Sequence, residues 1–268
     1  MRSRLFGLLL VGVSLILAAC GETTGGGSGG GTVSGTPSGQ EATKSPSDIV
    51  ADATNVLEGV DAYSVSFSGT DNLGPFSFTL NVDTQSNATG TMTQNGQTSL
   101  VVYSGSNMYV QERGLAQLLW HPPLDASFTG KWVVLPATVI PFIDTLRTPT
   151  ILAQCVQDFA NQTQTGTQTT VGGVSAVPLI FNDGNGNKNV ITVALDGTAH
   201  LLSWEVKASP SSPQDCLGGA ADLATQLSWA PTTLPIGTFT FGGYQTPVNV
   251  VVPSTTLNAP VPTETPTA

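Results

Sequence analysis

The stretch AYSVSFSGTDNLGPFSFTLNVD, residues 62–83, decides the fold of this protein. Apolar and polar residues alternate along both of its halves, so that successive side chains point to opposite faces of an extended strand. This period of two is typical of antiparallel strands that bury one face and expose the other. The sequence therefore predicts two half-buried antiparallel strands. Their buried face carries Tyr63, Val65, Phe67, Phe76, Phe78, Leu80 and Val82.

A helix is predicted just before these strands, in SPSDIVADATNVLEGV, residues 45–60. Ser45 is suited to cap the helix and Pro46 suits its first position. Asp48 follows Ser45 by three residues, as in a capping box. Apolar residues then recur at helical spacing as far as Val60. We expect this helix to pack its apolar stripe on the sheet.

Further strands are predicted along the rest of the chain. Asn95-Gly96 and Asp196-Gly197 are strong hairpin signals, and the last strands are expected at 237–243 and 248–253. Residues 138–162 break this pattern and indicate two helical pieces divided near Thr148-Pro149. A long sheet with few helices tends to curl. The predicted fold class is α+β, with a curved antiparallel half-barrel wrapped around one to three helices.

The N-terminus has the pattern of a secretory signal. Arg2 and Arg4 precede an apolar run over 5–19 that is too short to span the roughly 30 Å hydrocarbon core. Residues 17–20, LAAC, resemble the bacterial lipobox, in which the peptide is cut before a cysteine that carries a diacylglycerol. We expect Cys20 to be lipidated and the protein to be anchored outside the cytoplasm on the bacterial cell membrane. The alternative is an ordinary cleavage site with a chance cysteine.

These signals divide the chain into four parts. Residues 1–19 form the signal peptide, and 20–45 form the lipidated cysteine with a flexible Gly/Ser/Thr linker that is too polar to bury itself. Residues 46–253 form the folded domain. A Pro/Thr tail at 254–268 is expected to be disordered.

Two cysteines remain in the folded part, Cys155 and Cys216. Outside the cytoplasm an even pair of cysteines favours a disulfide. Two separate buried thiols are the alternative.

Composition excludes several classes of function. The chain has 8 Lys and Arg against 18 Asp and Glu, a net charge of -10. A nucleic-acid groove needs clustered basic charge, and basic docking on anionic lipid needs the same. We therefore expect neither.

Catalytic and metal-binding patterns are weak. His121 and His200 have no neighbouring ligands at the spacing that a metal site requires. Asp183 opens a stretch that partly fits a calcium loop, but Lys188 and Ala194 stand where that loop needs Gly and Glu. A tight turn is the preferred interpretation. We expect no metal, no cofactor and no enzymatic activity, and an envelope hydrolase is the least favoured alternative.

Three segments resemble the LolA/LolB-like lipoprotein carriers, and above all their LppX/LprG branch. They are SDIVADATNVLEGVDAYSVSFSGT at 47–70, SGSNMYVQ with GKWVVLP at 104–111 and 130–136, and FGGYQTPVNVVVP at 241–253. The resemblance implies a half-barrel with an apolar cavity under its helices. It implies acylated cargo: lipoproteins in the LolA branch, glycolipids and triacylated lipids in the LppX/LprG branch. The central helical insertion and the predicted disulfide depart from the family pattern.

The leading hypothesis is therefore a lipoprotein that binds a lipid or another apolar ligand between sheet and helices. Two alternatives stay open: the same residues form ordinary core, or the domain is a sensor or interaction scaffold that binds a protein partner. The candidate cavity residues lie on the concave face and at a mouth or gate. The concave face contributes Val65, Phe67, Phe76 and Phe78, and the mouth contributes Leu118, Leu119, Trp120, Phe142 and Ile143.

Overall fold

A computed structural model describes six stretches of the chain, and every structural statement below refers to them. They all lie in the second of two units, residues 37–268; the first unit is residues 1–36. The described stretches are 43–111, 113–120, 123–158, 163–182, 188–207 and 235–260.

Thirteen strands of the described residues form one sheet, in the order β13-β6-β5-β4-β3-β2-β1-β12-β11-β10-β9-β7, with β8 also paired to β9. All neighbours are antiparallel except β13 and β6. The strands are β1 (Tyr63–Asp71), β2 (Gly74–Val82), β3 (Ala88–Gln94), β4 (Gln97–Ser104), β5 (Asn107–Val110), β6 (Trp132–Pro136), β7 (Thr163–Thr165), β8 (Thr169–Val171), β9 (Val174–Asn182), β10 (Lys188–Ala194), β11 (Leu201–Val206), β12 (Ile236–Gly242) and β13 (Thr256–Asn258).

The sheet is made of two meanders joined at its centre. Strands β1 to β6 pair in chain order, and β9 to β12 do the same. The two halves meet where β1 pairs with β12, with Ser66 opposite Thr240 and Phe67 opposite Phe239. The path is open because β13 and β7 lie at its two ends. The predicted open, curved antiparallel sheet is confirmed.

Four α-helices are described, where the sequence predicted one to three. They are α1 (Pro46–Glu58), α2 (Arg113–Leu119), α3 (Pro141–Arg147) and α4 (Pro149–Gln157), with short 3₁₀ turns at Ala126–Phe128 and Ala137–Val139.

Local signals place three of these helices as predicted. The Ser45 hydroxyl accepts a hydrogen bond from the Asp48 backbone N–H over 3.2 Å and so caps α1. Thr148 separates α3 from α4, and each begins at a proline, the residue best tolerated at a first helical position. The predicted division of the helical segment is confirmed.

The helices cover the apolar face of the sheet and form one continuous core with it. Helix α1 packs along α4, where the Thr54 hydroxyl donates to Gln157 Oε1 over 3.2 Å. The stripe predicted for α1 is buried, including Ile49, Val50 and Leu57.

The end of the chain differs from the prediction. Residues 248–253 are not a strand, and the expected disordered tail contains β13, which pairs with β6. Prolines at 247 and 253 lack the N–H that a ladder needs, and Val251 and Val252 are 68% and 43% exposed. Leu257 instead lies opposite Val133 at the edge of the sheet and packs against the core.

Candidate functional site

The structure brings the predicted aromatic residues of the concave face together. Phe67 of β1 stacks on Phe78 of β2 with ring centroids 5.8 Å apart, and lies equally far from Phe76. Phe142 of α3 packs edge-on against Phe76 at 5.9 Å. Strand alternation sets the sheet side of this contact, and α3 supplies its cover. Val65 and Ile143 are fully buried in the same core.

Two further aromatic residues, not singled out from the sequence, complete the group. Phe239 of β12 lies 4.6 Å from Phe67 and 6.5 Å from Phe142, measured between ring centroids. Trp204 of β11 lies 5.8 Å from Phe239. The alternation in GTFTFGG signals that Phe239 faces one side, but the pairing of β1 with β12 cannot be read from local sequence. We call the six residues Phe67, Phe76, Phe78, Phe142, Trp204 and Phe239 the aromatic layer.

The predicted mouth residues of α2 differ in burial. Leu119 and Trp120 are buried, whereas Leu118 is only half-buried. Trp120 follows α2, and its indole N–H donates to the Pro260 carbonyl over 2.9 Å. The C-terminal segment after β13 is thereby fastened to the end of α2. Whether these residues form a mouth remains a prediction.

The aromatic layer is packed ring against ring. Phe142 fills the gap between α3 and the sheet at this point, because its ring contacts Phe76, Phe78 and Phe239. Two clefts are lined by described residues, and Phe67 and Phe78 of the aromatic layer belong to the lining of the second. One of about 480 Å³ is polar and lies between 61–62, 83–87 and 245–250, and one of about 320 Å³ lies among Ser and Thr side chains of β1, β2, β3 and β12.

Helix α3 is tied to the sheet at its C-terminal end. The Arg147 guanidinium donates to the Ser86 carbonyl, the Gly105 carbonyl and Asp144 Oδ1, each over 2.7 Å. The Tyr63 hydroxyl donates to the Leu146 carbonyl. Phe142 lies at the other end of the helix, where apolar contacts hold it.

Two tyrosine hydroxyls on this face are buried. Burial raises the pKa of Tyr63 and Tyr103 above the ordinary value, and the Asp144 carboxylate raises that of Tyr103 further. Arg147 lies 5.8 Å from the centre of the Tyr103 ring. Both phenols are therefore neutral at physiological pH.

The described residues hold no metal-binding group: no three His, Cys, Asp or Glu side chains gather among them. His200 stacks on Tyr244 with ring centroids 4.1 Å apart, and burial lowers its pKa. His121 and the calcium-like stretch at 183–187 lie outside the described residues.

Cys155 is buried in α4 and is disulfide-bonded. Its predicted partner Cys216 lies outside the described residues, as does Cys20, so the pairing and the lipidation remain predictions. The longest of the described helices, α1, has 13 residues, and none of them has the length and hydropathy of a membrane span.

Comparison with known proteins finds likeness only among solved structures. No family profile and no curated protein matches the sequence. The Mycobacterium tuberculosis lipoprotein LppX is 14% identical over 77% of this chain and 98% of its own, with a TM-score of 0.47. LprF from Mycobacterium bovis is 14% identical over 78% and 96%, with a TM-score of 0.49. The LolA superfamily protein NE2245 from Nitrosomonas europaea is 7% identical over 75% and 93%, with a TM-score of 0.26. The names LppX and LolA are also those of the two groups of carriers that the sequence segments at 47–70, 104–111, 130–136 and 241–253 resemble.

Proposed function

We propose that this protein is an extracytoplasmic lipoprotein, anchored through Cys20, that binds a lipid or another apolar ligand between the concave face of the sheet and its helices. The observation that carries the proposal is the aromatic layer. This layer is a continuous apolar surface. Five of its rings belong to the sheet, and the sixth, Phe142, belongs to the short helix α3 and contacts three of them. An acyl chain can make the same van der Waals contacts with the sheet as the Phe142 ring does.

The cover of this layer is suited to movement. Helices α2 and α3 have seven residues each, and isolated helices of that length are unstable in water. The position of these helices therefore depends on their packing against the rest of the protein. A ligand that takes over the contacts of Phe142 with the sheet compensates for the free energy lost when that ring moves away. The ties at Arg147 and Tyr63 hold the C-terminal end of α3 during such a movement. We infer that α3 opens at the end that carries Phe142.

The experiment is to isolate the protein from a bacterial host and record its intact mass under native and denaturing conditions. A co-purified lipid, seen as added mass that is lost on denaturation, is the expected result. A neutral apolar dye, N-phenyl-1-naphthylamine, then reports the same site after delipidation by an increase in fluorescence. A bare polypeptide mass together with no dye binding would overturn the proposal.

A second function is favoured by a specific observation. Because the rings of the aromatic layer contact one another, the domain also suits a scaffold with a filled interior. The exposed Val251 and Val252 then provide an apolar surface for a protein partner. In that case the unsubstituted protein binds the dye only weakly, and the double variant Val251→Ser with Val252→Ser removes this weak dye binding.

A further inference from the structure

The concave face ends at one edge in two polar side chains. Asp71 is the last residue of β1 and lies on the same face as Phe67. Gln94 is the last residue of β3 and lies directly opposite Phe76 of the aromatic layer. Gln94 is completely buried, at 0% exposure. Polar groups therefore adjoin the aromatic layer where the alternation of the strands calls for apolar ones.

The two side chains hold each other in place. Gln94 Nε2 donates to Asp71 Oδ1 over 3.1 Å and to the Pro75 carbonyl over 3.4 Å. Asp71 Oδ1 also accepts from the Leu73 backbone N–H over 2.8 Å. These bonds fix the orientation of the pair with one oxygen of each side chain left over.

The two remaining oxygens, Asp71 Oδ2 and Gln94 Oε1, are buried and have no hydrogen-bond partner among the described residues. Turning the Gln94 amide does not help, because its oxygen would then face Asp71 Oδ1 and the Pro75 carbonyl, which are also acceptors. Buried polar atoms in folded proteins are nearly always paired, and an unpaired one is costly. Both oxygens are acceptors, and each lacks a hydrogen-bond donor among the described residues.

We propose that Asp71 and Gln94 form a subsite for the head group of an amphiphile, one that donates hydrogen bonds and carries no negative charge. This inference rests on the proposed function, since the apolar chain of the amphiphile lies along the aromatic layer. Hydroxyl and ammonium groups supply the missing donors. Carboxylate and phosphate head groups offer only hydrogen-bond acceptors, which cannot pair with Asp71 Oδ2 and Gln94 Oε1. They are also repelled by the negative charge of Asp71, in a chain whose net charge is -10.

The test is a competition experiment on the delipidated chain, carrying Cys20→Ser so that no detergent is needed. N-phenyl-1-naphthylamine is the bound probe. Dodecane, 1-dodecanol, dodecylamine and dodecanoate are the competitors, because they share a chain and differ in the head. We expect 1-dodecanol or dodecylamine to displace the probe at a concentration about tenfold lower than dodecane or dodecanoate. The stronger of the two identifies the donor as hydroxyl or ammonium.

Variants then locate the effect. Asp71→Asn places an N–H donor where the carboxylate has its unpaired oxygen, and Gln94→Met keeps the volume and removes the amide oxygen. Both are expected to abolish the tenfold preference while dodecane competes as before. Thr91→Val is the matched control, because Thr91 lies on the exposed outer face of the same strand as Gln94. Circular dichroism checks that each variant is folded. If a variant does not fold, the competition experiment on the protein with Asp71 and Gln94 unchanged still tests the proposal.

Two negative outcomes are distinguishable. If the probe binds but all four competitors displace it equally, the subsite proposal fails and the proposed function stands. If the probe does not bind at all, the proposed function fails and the subsite with it.

Discussion

Arg147 donates a hydrogen bond from Nη2 to the carbonyl oxygen of Gly105, 2.7 Å away, and so joins the end of α3 to the turn between β4 and β5. The same guanidinium reaches the Ser86 carbonyl in the turn between β2 and β3. One side chain thus holds the helical cover to two hairpins of the sheet. The fork of N–H donors in arginine suits this role, which lysine cannot fill.

Replacing Arg147 by Met is expected to destabilise the domain by about 3 kcal/mol, because the buried guanidinium loses its charged hydrogen bonds to Asp144 and to the Ser86 and Gly105 carbonyls. Urea unfolding followed by circular dichroism measures the change. Lys207→Met is the control, since Lys207 and Glu205 are 3.5 Å apart and about half exposed, and such pairs contribute little. Equal stability of the two variants would show that Arg147 does not fasten α3.

Phe142→Ala tests the packing of the aromatic layer. The ring is buried against three phenylalanines of the sheet, so its removal is expected to cost about 3–5 kcal/mol in the ligand-free protein. The same substitution leaves apolar space between α3 and the sheet. Binding of N-phenyl-1-naphthylamine should therefore tighten. Urea unfolding and dye titration measure the two effects.

Ile151→Ala is the control for that substitution, because Ile151 lies on α4 and is 39% exposed. It should change stability by less than about 1 kcal/mol and leave dye binding as it was. A Phe142→Ala variant as stable as this control would mean that Phe142 does not hold the cover on the sheet.

The sequence predicts those parts of the fold that local chemistry determines. Ser45 caps α1, and Thr148-Pro149 divides two helices, because each depends on residues within one turn of the chain. The alternation at 62–83 likewise places the correct side chains of β1 and β2 in the core. These features need no knowledge of distant partners.

The remainder depends on contacts between distant residues. Phe239 joins the aromatic layer only because β12 pairs with β1 across most of the chain. Strand β13 arises in a Pro/Thr segment because the edge of β6 is available to it. The Asp71–Gln94 pair was not predicted, since each is an ordinary polar residue at a strand end. Whether the aromatic layer opens for a ligand remains a prediction.

Alkaline pH is expected to destabilise the protein through Tyr63, Tyr103 and Tyr244. Burial raises all three pKa values in the folded state, whereas an unfolded tyrosine ionises near pH 10. Their stabilising effect is complete below about pH 10 and is lost as the pH rises further, by up to about 1.4 kcal/mol per pH unit for each tyrosine. Urea unfolding between pH 7 and 11 gives this slope.

Tyr103→Phe should reduce that slope by about a third. It should leave stability at pH 7 unchanged or higher, because the Tyr103 hydroxyl is buried and has no hydrogen-bond partner among the described residues. Absorbance at 295 nm follows tyrosine ionisation directly. Ionisation of all three tyrosines near pH 10 in the folded protein would contradict the assignment.

Cys155 is expected to pair with Cys216. Peptide mapping without reduction should recover these two residues in one linked fragment. Reduction should then lower the free energy of unfolding by up to about 4 kcal/mol, the value expected for closing a loop of roughly 60 residues. The double variant Cys155→Ser with Cys216→Ser should be as stable as the reduced protein, and a free thiol at Cys216 would rule out this pairing.

Cys20 is expected to carry the membrane anchor. In a bacterial host fed a labelled palmitate, the wild-type protein should take up the label and enter the detergent phase of a Triton X-114 separation. Cys20→Ser should do neither, because each buried methylene of an acyl chain contributes about 0.8 kcal/mol to membrane binding and the serine carries no acyl chain. Cys216→Ser is the control and should partition like the wild type. If the wild type itself stays in the aqueous phase without label, residues 17–20 are an ordinary cleavage site, and the domain acts without an anchor.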